Sequence, residues 1–122
     1  MDKKFLESYF DAYNSEDAER LGGFYTPEVV LCYDNNTHMG KTAVLETYSY
    51  IQNLFEDRMI LHSVFVQGSS AVVELENRFV AKKDIANFLG RDLKAGESFV
   101  MPLVGEYTFS GGKISNVNIT KK

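Results

Sequence analysis

The chain of 122 residues contains no tryptophan, two prolines and one cysteine. Because Cys32 is the single thiol, no disulfide can form within the chain. No stretch approaches the roughly 18 consecutive apolar residues of a membrane-spanning helix, and the N-terminus has no apolar run typical of a signal peptide. We therefore expect a soluble, cytoplasmic protein without a membrane partner.

Clustered positive charge is also lacking. The 13 Lys and Arg residues are scattered, and with 17 Asp and Glu residues they leave a net charge of −4. Nucleic-acid binding needs a dense basic face, so no nucleic-acid partner is expected. No His, Cys and Asp cluster has the spacing of metal ligands, and no glycine-rich phosphate loop is present. The sequence thus predicts neither a metal nor a cofactor.

Apolar residues make up 44% of the chain, which is enough to build the core of one domain covering residues 1–122. Helical spacing of apolar residues predicts a first helix over residues 2–14. Capping residues indicate a short second helix at 15–22, which two glycines end. A third helix is predicted from Gly40 to about residue 56.

The rest of the chain has the pattern of a sheet. Alternation of apolar and polar residues predicts strands at 29–34, 38–39, 59–67 and 71–83. Residues 84–96 show no clear periodicity of apolar residues. They are predicted to be a connection that holds at most a helical turn at 85–89. The last segment, 97–122, is predicted as a hairpin with a glycine turn.

The first strand of that hairpin is long, and it has one apolar face that carries Phe99, Met101, Leu103, Gly105, Tyr107 and Phe109. A glycine in the middle of such a face suggests a curved sheet wrapped around something. The predicted class is α+β, with three N-terminal helices packed on a strongly bent, mostly antiparallel sheet.

Three segments in this order resemble the nuclear transport factor two-like superfamily: FLESYFDAYNSEDAERLGGFY, HMGKTAV and LKAGESFVMPLVGEYTFSGGKI. That superfamily includes ketosteroid isomerases, SnoaL-type polyketide cyclases and limonene-epoxide hydrolases. The resemblance implies a cone in which the bent sheet folds over a long helix and leaves a pocket at its open end.

The resemblance also implies site residues. Ketosteroid isomerase uses an Asp base, a Tyr and a second, protonated Asp. In this chain Tyr9 falls at the position of the tyrosine and Asp34 at that of the base. The third position falls on Gly105, which has no side chain to act as an acid.

The candidate catalytic residues Tyr9, Asp34 and His38 each have a structural alternative. Tyr9 is either a core tyrosine or a donor to a ligand carbonyl. Asp34 precedes two asparagines, so its carboxylate either accepts backbone hydrogen bonds in a turn or acts as a base in apolar surroundings. His38 is either a surface loop residue or a proton shuttle.

The face on which each residue falls, together with the implied cone, predicts a ligand pocket. This pocket would be lined by Tyr13, Phe24, Tyr33, Phe55, His62, Met101 and Leu103. The face of residues 59–67 that carries His62 is ambiguous. Glu74, Glu76 and Arg78 share one strand face, which is either solvated, an interface or a pocket wall. Cys32 is expected to be a buried, inert thiol.

Three functions are compatible with these residues. The first is a cofactor-free isomerase, cyclase or hydrolase that moves protons on a small, largely apolar molecule such as a steroid-like or polyketide-like ring. The second is a pocket that binds such a ligand without chemistry, and the third is a dimeric scaffold. A homodimer is expected because Val100, Pro102 and Val104 should point away from the core.

Overall fold

The computed structural model describes residues 2–33 and 35–122. Its three helices are α1 (Lys3–Asn14), α2 (Ala18–Gly22) and α3 (Lys41–Leu54). The first begins at an Asp2 cap, whose carboxylate accepts a hydrogen bond from the Phe5 amide at 3.0 Å. The second begins at Asp17, which accepts from the Arg20 amide at 3.1 Å. The capping residues in the sequence thus set both starts.

Eight strands follow or separate the helices. They are β1 (Tyr25–Tyr33), β2 (Asn36–Met39), β3 (Phe55–Gln67), β4 (Ser70–Ala81), β5 (Ile85–Phe88), β6 (Arg91–Leu93), β7 (Ser98–Ser110) and β8 (Lys113–Lys121). Six form one sheet in the order β2-β1-β8-β7-β4-β3. Only the β1–β8 pair among these neighbours is parallel. The predicted α+β class with three helices on a mostly antiparallel sheet is confirmed.

The core lies between the inner face of this sheet and the helices. Along β4, residues Val73, Leu75, Asn77 and Phe79 are buried and alternate with residues facing outward. On α1, the buried side chains include Leu6, Tyr9, Phe10 and Tyr13. The alternation read from the sequence therefore assigns both faces of β4 correctly.

The prediction for residues 84–96 was wrong. Instead of a connection with a helical turn, β5 and β6 form a two-stranded sheet of their own. Asn87, Leu89 and Gly90 turn the chain with positive φ angles of 55°, 50° and 79°. Phe88 holds this hairpin to the core, because its ring centroid lies 4.6 Å from that of Phe55.

Strand β3 also begins earlier than expected. The sequence suggested a helix to about residue 56 and a strand from Met59, whereas α3 ends at Leu54 and β3 starts at Phe55. This places Asp57 within the strand, on the same buried parity as Phe55 and Met59. Among the described helices, none is long and apolar enough to cross a membrane.

Candidate functional site

A cavity of about 80 Å³ opens between the inner face of the main sheet and helices α1 and α3. Its aromatic wall consists of Tyr13, Tyr33, Tyr48, Phe79 and Phe88. Its aliphatic wall consists of Leu31, Ile51, Met59, Leu103 and Ile119. The remaining polar groups come from Asn36, His38, Thr47 and Asn77. The cavity is therefore mostly apolar, with polar groups converging from several elements, as in small-molecule sites.

The volume limits what the cavity can hold. An engineered protein cavity of roughly 150 Å³ binds benzene. At about 80 Å³, this cavity fits a molecule of only a few heavy atoms. A steroid-like or polyketide-like ring system, which the sequence suggested, would have to extend beyond this volume.

One end of the cavity carries a buried polar cluster formed by Tyr13, Asp57 and Asn77. The Tyr13 hydroxyl donates to Oδ2 of Asp57 at 2.5 Å, and the Asn77 amide donates to Oδ1 at 2.5 Å. Asp57 and Asn77 are each only 5% exposed. Because Tyr13 and Asn77 line the cavity, the carboxylate lies directly behind them.

Burial dominates the electrostatics of this cluster. Desolvation raises the pKa of Asp57, and the hydrogen bonds from Tyr13 and Asn77 oppose that shift. A smaller contribution from Glu16 raises the pKa further. Burial, and then the Asp57 carboxylate, raises the pKa of Tyr13 well above its ordinary value. The Tyr13 hydroxyl therefore stays protonated and donates a hydrogen bond to Asp57.

A second polar group is a chain of buried tyrosines. The hydroxyls of Tyr9 and Tyr25 lie 2.5 Å apart, and both interact with Tyr48, which lines the cavity. Burial raises the pKa of Tyr48 to about 12, although hydrogen bonds from Tyr25 and Tyr9 act in the opposite direction. Tyr9 thus lies one residue behind the cavity wall and reaches it through its tyrosine partners.

The structure brings four of the predicted pocket and catalytic residues to the cavity wall: Tyr13, Tyr33, His38 and Leu103. Met101 lies directly behind Tyr33, whose hydroxyl contacts its sulfur at 3.9 Å. Asp34, predicted as the base, lies outside the described residues.

Three predicted pocket residues are placed elsewhere. Phe24 packs against Phe5 and Tyr9. Phe55 is buried beside the cavity and packs edge-to-face against Phe79 and Phe99. His62 faces the outer surface, where its Nε2 lies 3.6 Å from Oε1 of Glu76. It faces outward because β3 shifts register between Leu61 and Ser63, a break that simple alternation does not capture.

The charged face of β4 lies outside the cavity. Arg78 Nε donates to Glu76 at 2.7 Å, and Lys122 Nζ donates to Glu74 at 2.8 Å. Both pairs are partly solvated on the outer face of the sheet, so these residues do not line this cavity. In the part of the chain that the structure describes, no three His, Cys, Asp or Glu residues are grouped to hold a metal ion.

The packing around Gly105 explains why no acid stands at the third position that the ketosteroid isomerase resemblance implies. A Cβ atom at this residue would lie 2.7 Å from Cε2 of Tyr107 and 3.2 Å from its hydroxyl. The buried Tyr107 ring covers the glycine and occupies the space that a carboxyl would need.

Sequence reasoning missed Asp57 and Asn77 as site residues. Asn77 alternates with Leu75 and Phe79 on the buried face of its strand, and a polar residue on such a face is a signal for a buried polar role. Asp57 was hidden because it lies between Glu56 and Arg58 and reads as a charged connection.

The model of the SnoaL-like domain family matches residues 6–117 of the chain. The chain belongs to this family. No curated protein matches the chain. The SnoaL-like domain has the ketosteroid isomerase-like, nuclear transport factor two-like fold, as the sequence resemblance implied.

Solved structures with the fold of this SnoaL-like domain share little of its sequence. A candidate polyketide cyclase from Sinorhizobium meliloti is 20% identical, with a TM-score of 0.75 over 96% of this chain and 94% of its own. A protein with a ketosteroid isomerase-like fold from Catenulispora acidiphila, in complex with trimethylamine, is 10% identical, with a TM-score of 0.81 over 100% of this chain and 88% of its own. An LEH-like epoxide hydrolase from M. tuberculosis is 11% identical, with a TM-score of 0.77 over 98% and 80%.

Proposed function

We propose that this SnoaL-like domain binds a small, largely apolar organic molecule in the cavity behind Phe88. The observation that carries the proposal is a mostly apolar cavity of about 80 Å³ into which Tyr13, Tyr48, His38 and Asn77 converge. Such convergence of a few polar groups on an apolar space is typical of ligand sites. A scaffold without a ligand would instead fill this space with core side chains.

Filling the cavity should abolish ligand retention. Leu103→Phe adds a ring at a buried position of the wall, so we expect the variant to fold with a loss of stability of about 1–3 kcal/mol. Native mass spectrometry of the purified protein should find a small adduct on the wild type and none on this variant. Val66→Phe, at a more exposed position on β3, is the control and should keep the adduct. Equal retention by Leu103→Phe would contradict the proposed site.

A second candidate is proton-transfer chemistry on the bound molecule, without metal or nucleotide. It is supported by the placement of Tyr13, Tyr48 and His38 on one cavity, where hydroxyl and imidazole groups can move protons. Tyr9 would act through Tyr25 and Tyr48 rather than on the ligand. The role of Asp34 as a base stays a prediction.

A steroid should not be a substrate. A β,γ-unsaturated ketosteroid far exceeds a cavity of about 80 Å³, and Gly105 supplies no acid to stabilise an enolate. We expect no isomerisation above the uncatalysed rate in an absorbance assay of the conjugated product. Turnover that Asp34→Asn abolishes would overturn this size limit and establish Asp34 as the base.

We further propose that the protein forms a homodimer through the outer face of β3, β4 and β7. Phe65, Val72 and Val100 are exposed there beside ion pairs that present both charge signs. A second copy, related by a two-fold axis, would meet this mixed face with a matching one.

Sedimentation should therefore give a mass twice the 13.8 kDa of one chain. Val100→Asp should weaken self-association by at least about tenfold, because it introduces a charge into an apolar contact. Met39→Asp is the control, since Met39 is apolar and even more exposed than Val100 but lies on β2. A wild-type monomer at high micromolar concentration would refute the dimer.

A further inference from the structure

Asp57 has no cationic partner within the described chain. No Lys, Arg or His nitrogen of residues 2–33 and 35–122 lies within 4.0 Å of its oxygens. A carboxylate that is only 5% exposed is normally paired with a cation or neutralised. Its partners here are two neutral donors, Tyr13 and Asn77, and both also face the cavity.

Those two hydrogen bonds determine what the end of the cavity offers a ligand. The single O–H group of Tyr13 donates its hydrogen bond to Asp57. The hydroxyl oxygen can therefore offer a ligand only its lone pairs, as an acceptor. Asn77 directs its amide group to Asp57 at 2.5 Å and to the carbonyl oxygen of Arg58 at 3.3 Å, which leaves its own Oδ1 as an acceptor. A phenol that donates to a carboxylate is also a stronger acceptor. This end of the cavity therefore accepts hydrogen bonds.

The remaining wall suits a cation. Of the described residues that line the cavity, none is Lys or Arg, and only His38 can carry a positive charge. Five are aromatic, and the faces of such rings attract organic cations. The Tyr48 hydroxyl can either donate or accept a hydrogen bond, so it does not require the ligand to be an acceptor.

We propose that the ligand is a small alkyl amine, bound as its ammonium ion with an N–H group donated to the Tyr13 hydroxyl and the Asp57 charge one hydroxyl away. This inference rests on the proposed function, because it assigns a ligand class to the same cavity. It needs three features together: a cavity for a few heavy atoms, an acceptor end with a buried carboxylate, and an aromatic wall.

Three probes of one carbon skeleton separate charge from shape: isopropylammonium, isopropanol and acetone. The first donates and is charged, the second donates and is neutral, and the third only accepts. Amide chemical shifts of cavity residues in NMR titrations at about pH 7 would give each dissociation constant. We expect isopropylammonium to bind at least about tenfold more tightly than either neutral probe.

Asp57→Asn tests the source of this preference while keeping the shape of the cluster. The new amide oxygen can accept from Asn77, and the new amide group can donate to Tyr13, whose proton then turns to the cavity. We expect isopropylammonium to bind at least about tenfold more weakly and acetone to become the tightest of the three probes. Asp11→Asn, an exposed substitution on α1 that removes the same charge, should bind like the wild type.

A pH series on the wild type tests the proposal without a variant. Isopropylammonium keeps its charge below about pH 10, so weaker binding at acid pH must come from the protein. The groups that face Asp57 are Tyr13 from α1, Tyr48 from α3 and Asn77 from β4, with Glu16 acting from farther away. The series is repeated on His38→Gln, which removes the imidazole from the cavity wall, and binding should still weaken there as Asp57 is protonated.

The outcomes distinguish the two proposals. Equal or tighter binding of acetone or isopropanol by the wild type would overturn the amine assignment and leave the proposed cavity intact. Binding of isopropylammonium that neither Asp57→Asn nor acid pH weakens would also overturn it. No shift of any cavity residue with any probe would reject both the amine and the proposed binding site.

Discussion

Replacing Asp57 with alanine should lower the free energy of unfolding by about 2–4 kcal/mol, because two buried donors lose their acceptor. The Tyr13 hydroxyl and the Asn77 amide both donate to this carboxylate at 2.5 Å, and without it Asn77 keeps only its longer hydrogen bond to the Arg58 carbonyl oxygen at 3.3 Å. Asp57→Asn is the matched control and should stay within about 1 kcal/mol of the wild type, since the cluster keeps two hydrogen bonds, one accepted from Asn77 and one donated to Tyr13. Urea unfolding would measure both, and equal losses for the two variants would contradict this account.

The same residue gives stability a pH dependence of known sign. Burial raises the pKa of Asp57 above its ordinary value of 3.8, so the unfolded chain releases this proton first as pH increases. Between pH 3.8 and the folded-state pKa, the folded protein binds more protons than the unfolded one. The contribution of Asp57 to stability is therefore complete below pH 3.8 and is lost as pH rises through the folded pKa. This component should be missing in Asp57→Asn.

Gly105→Ala should cost about 1–3 kcal/mol of stability, although alanine is the smallest possible addition. The new Cβ would lie 2.7 Å from Cε2 of Tyr107, whose ring is buried and surrounded by Tyr9 and Phe10. The backbone at Gly105 lacks the positive φ found at other glycines, so the cost comes from this contact and from a looser one at 3.2 Å to Cδ1 of Ile119.

A double-mutant cycle can isolate that contact. In a Tyr107→Ala background the Gly105→Ala substitution should lose most of its cost, because the obstructing ring is gone. Gly22→Ala serves as the control, since its Cβ would meet only flexible side chains, those of Leu45 at 3.2 Å and Lys41 at 3.7 Å. An unchanged cost of Gly105→Ala without the Tyr107 ring would show that the backbone, and not the ring, requires glycine.

Periodicity predicted the fold well because the sheet has one buried face. Along β7, Met101, Leu103, Gly105, Tyr107 and Phe109 are all on the buried side, as their two-residue spacing requires. The hairpin of β5 and β6 escaped prediction because its turn places Leu89 at a positive φ of 50°, a conformation that leucine rarely adopts.

The site was harder to predict than the fold. His38 and Tyr13 were recognised because polar and aromatic residues near an implied pocket are conspicuous. Asp57 was missed because its role depends on a strand start that no turn residue marks: helix α3 runs into β3 without a connection. Asn77 and Asp57 are 20 residues apart, and only the pairing of β3 with β4 brings them together.

The hairpin that carries Phe88 limits the size of the cavity, whereas other elements hold its polar groups. Phe88 closes the cavity from a small sheet that is distinct from the six-stranded one, whereas Tyr13 and Asn77 are fixed by α1 and β4. A shorter side chain at position 88 would enlarge the space without disturbing the hydrogen bonds to Asp57. Changes confined to this hairpin would therefore alter which molecules fit the proposed site, while the groups proposed to orient them stay in place.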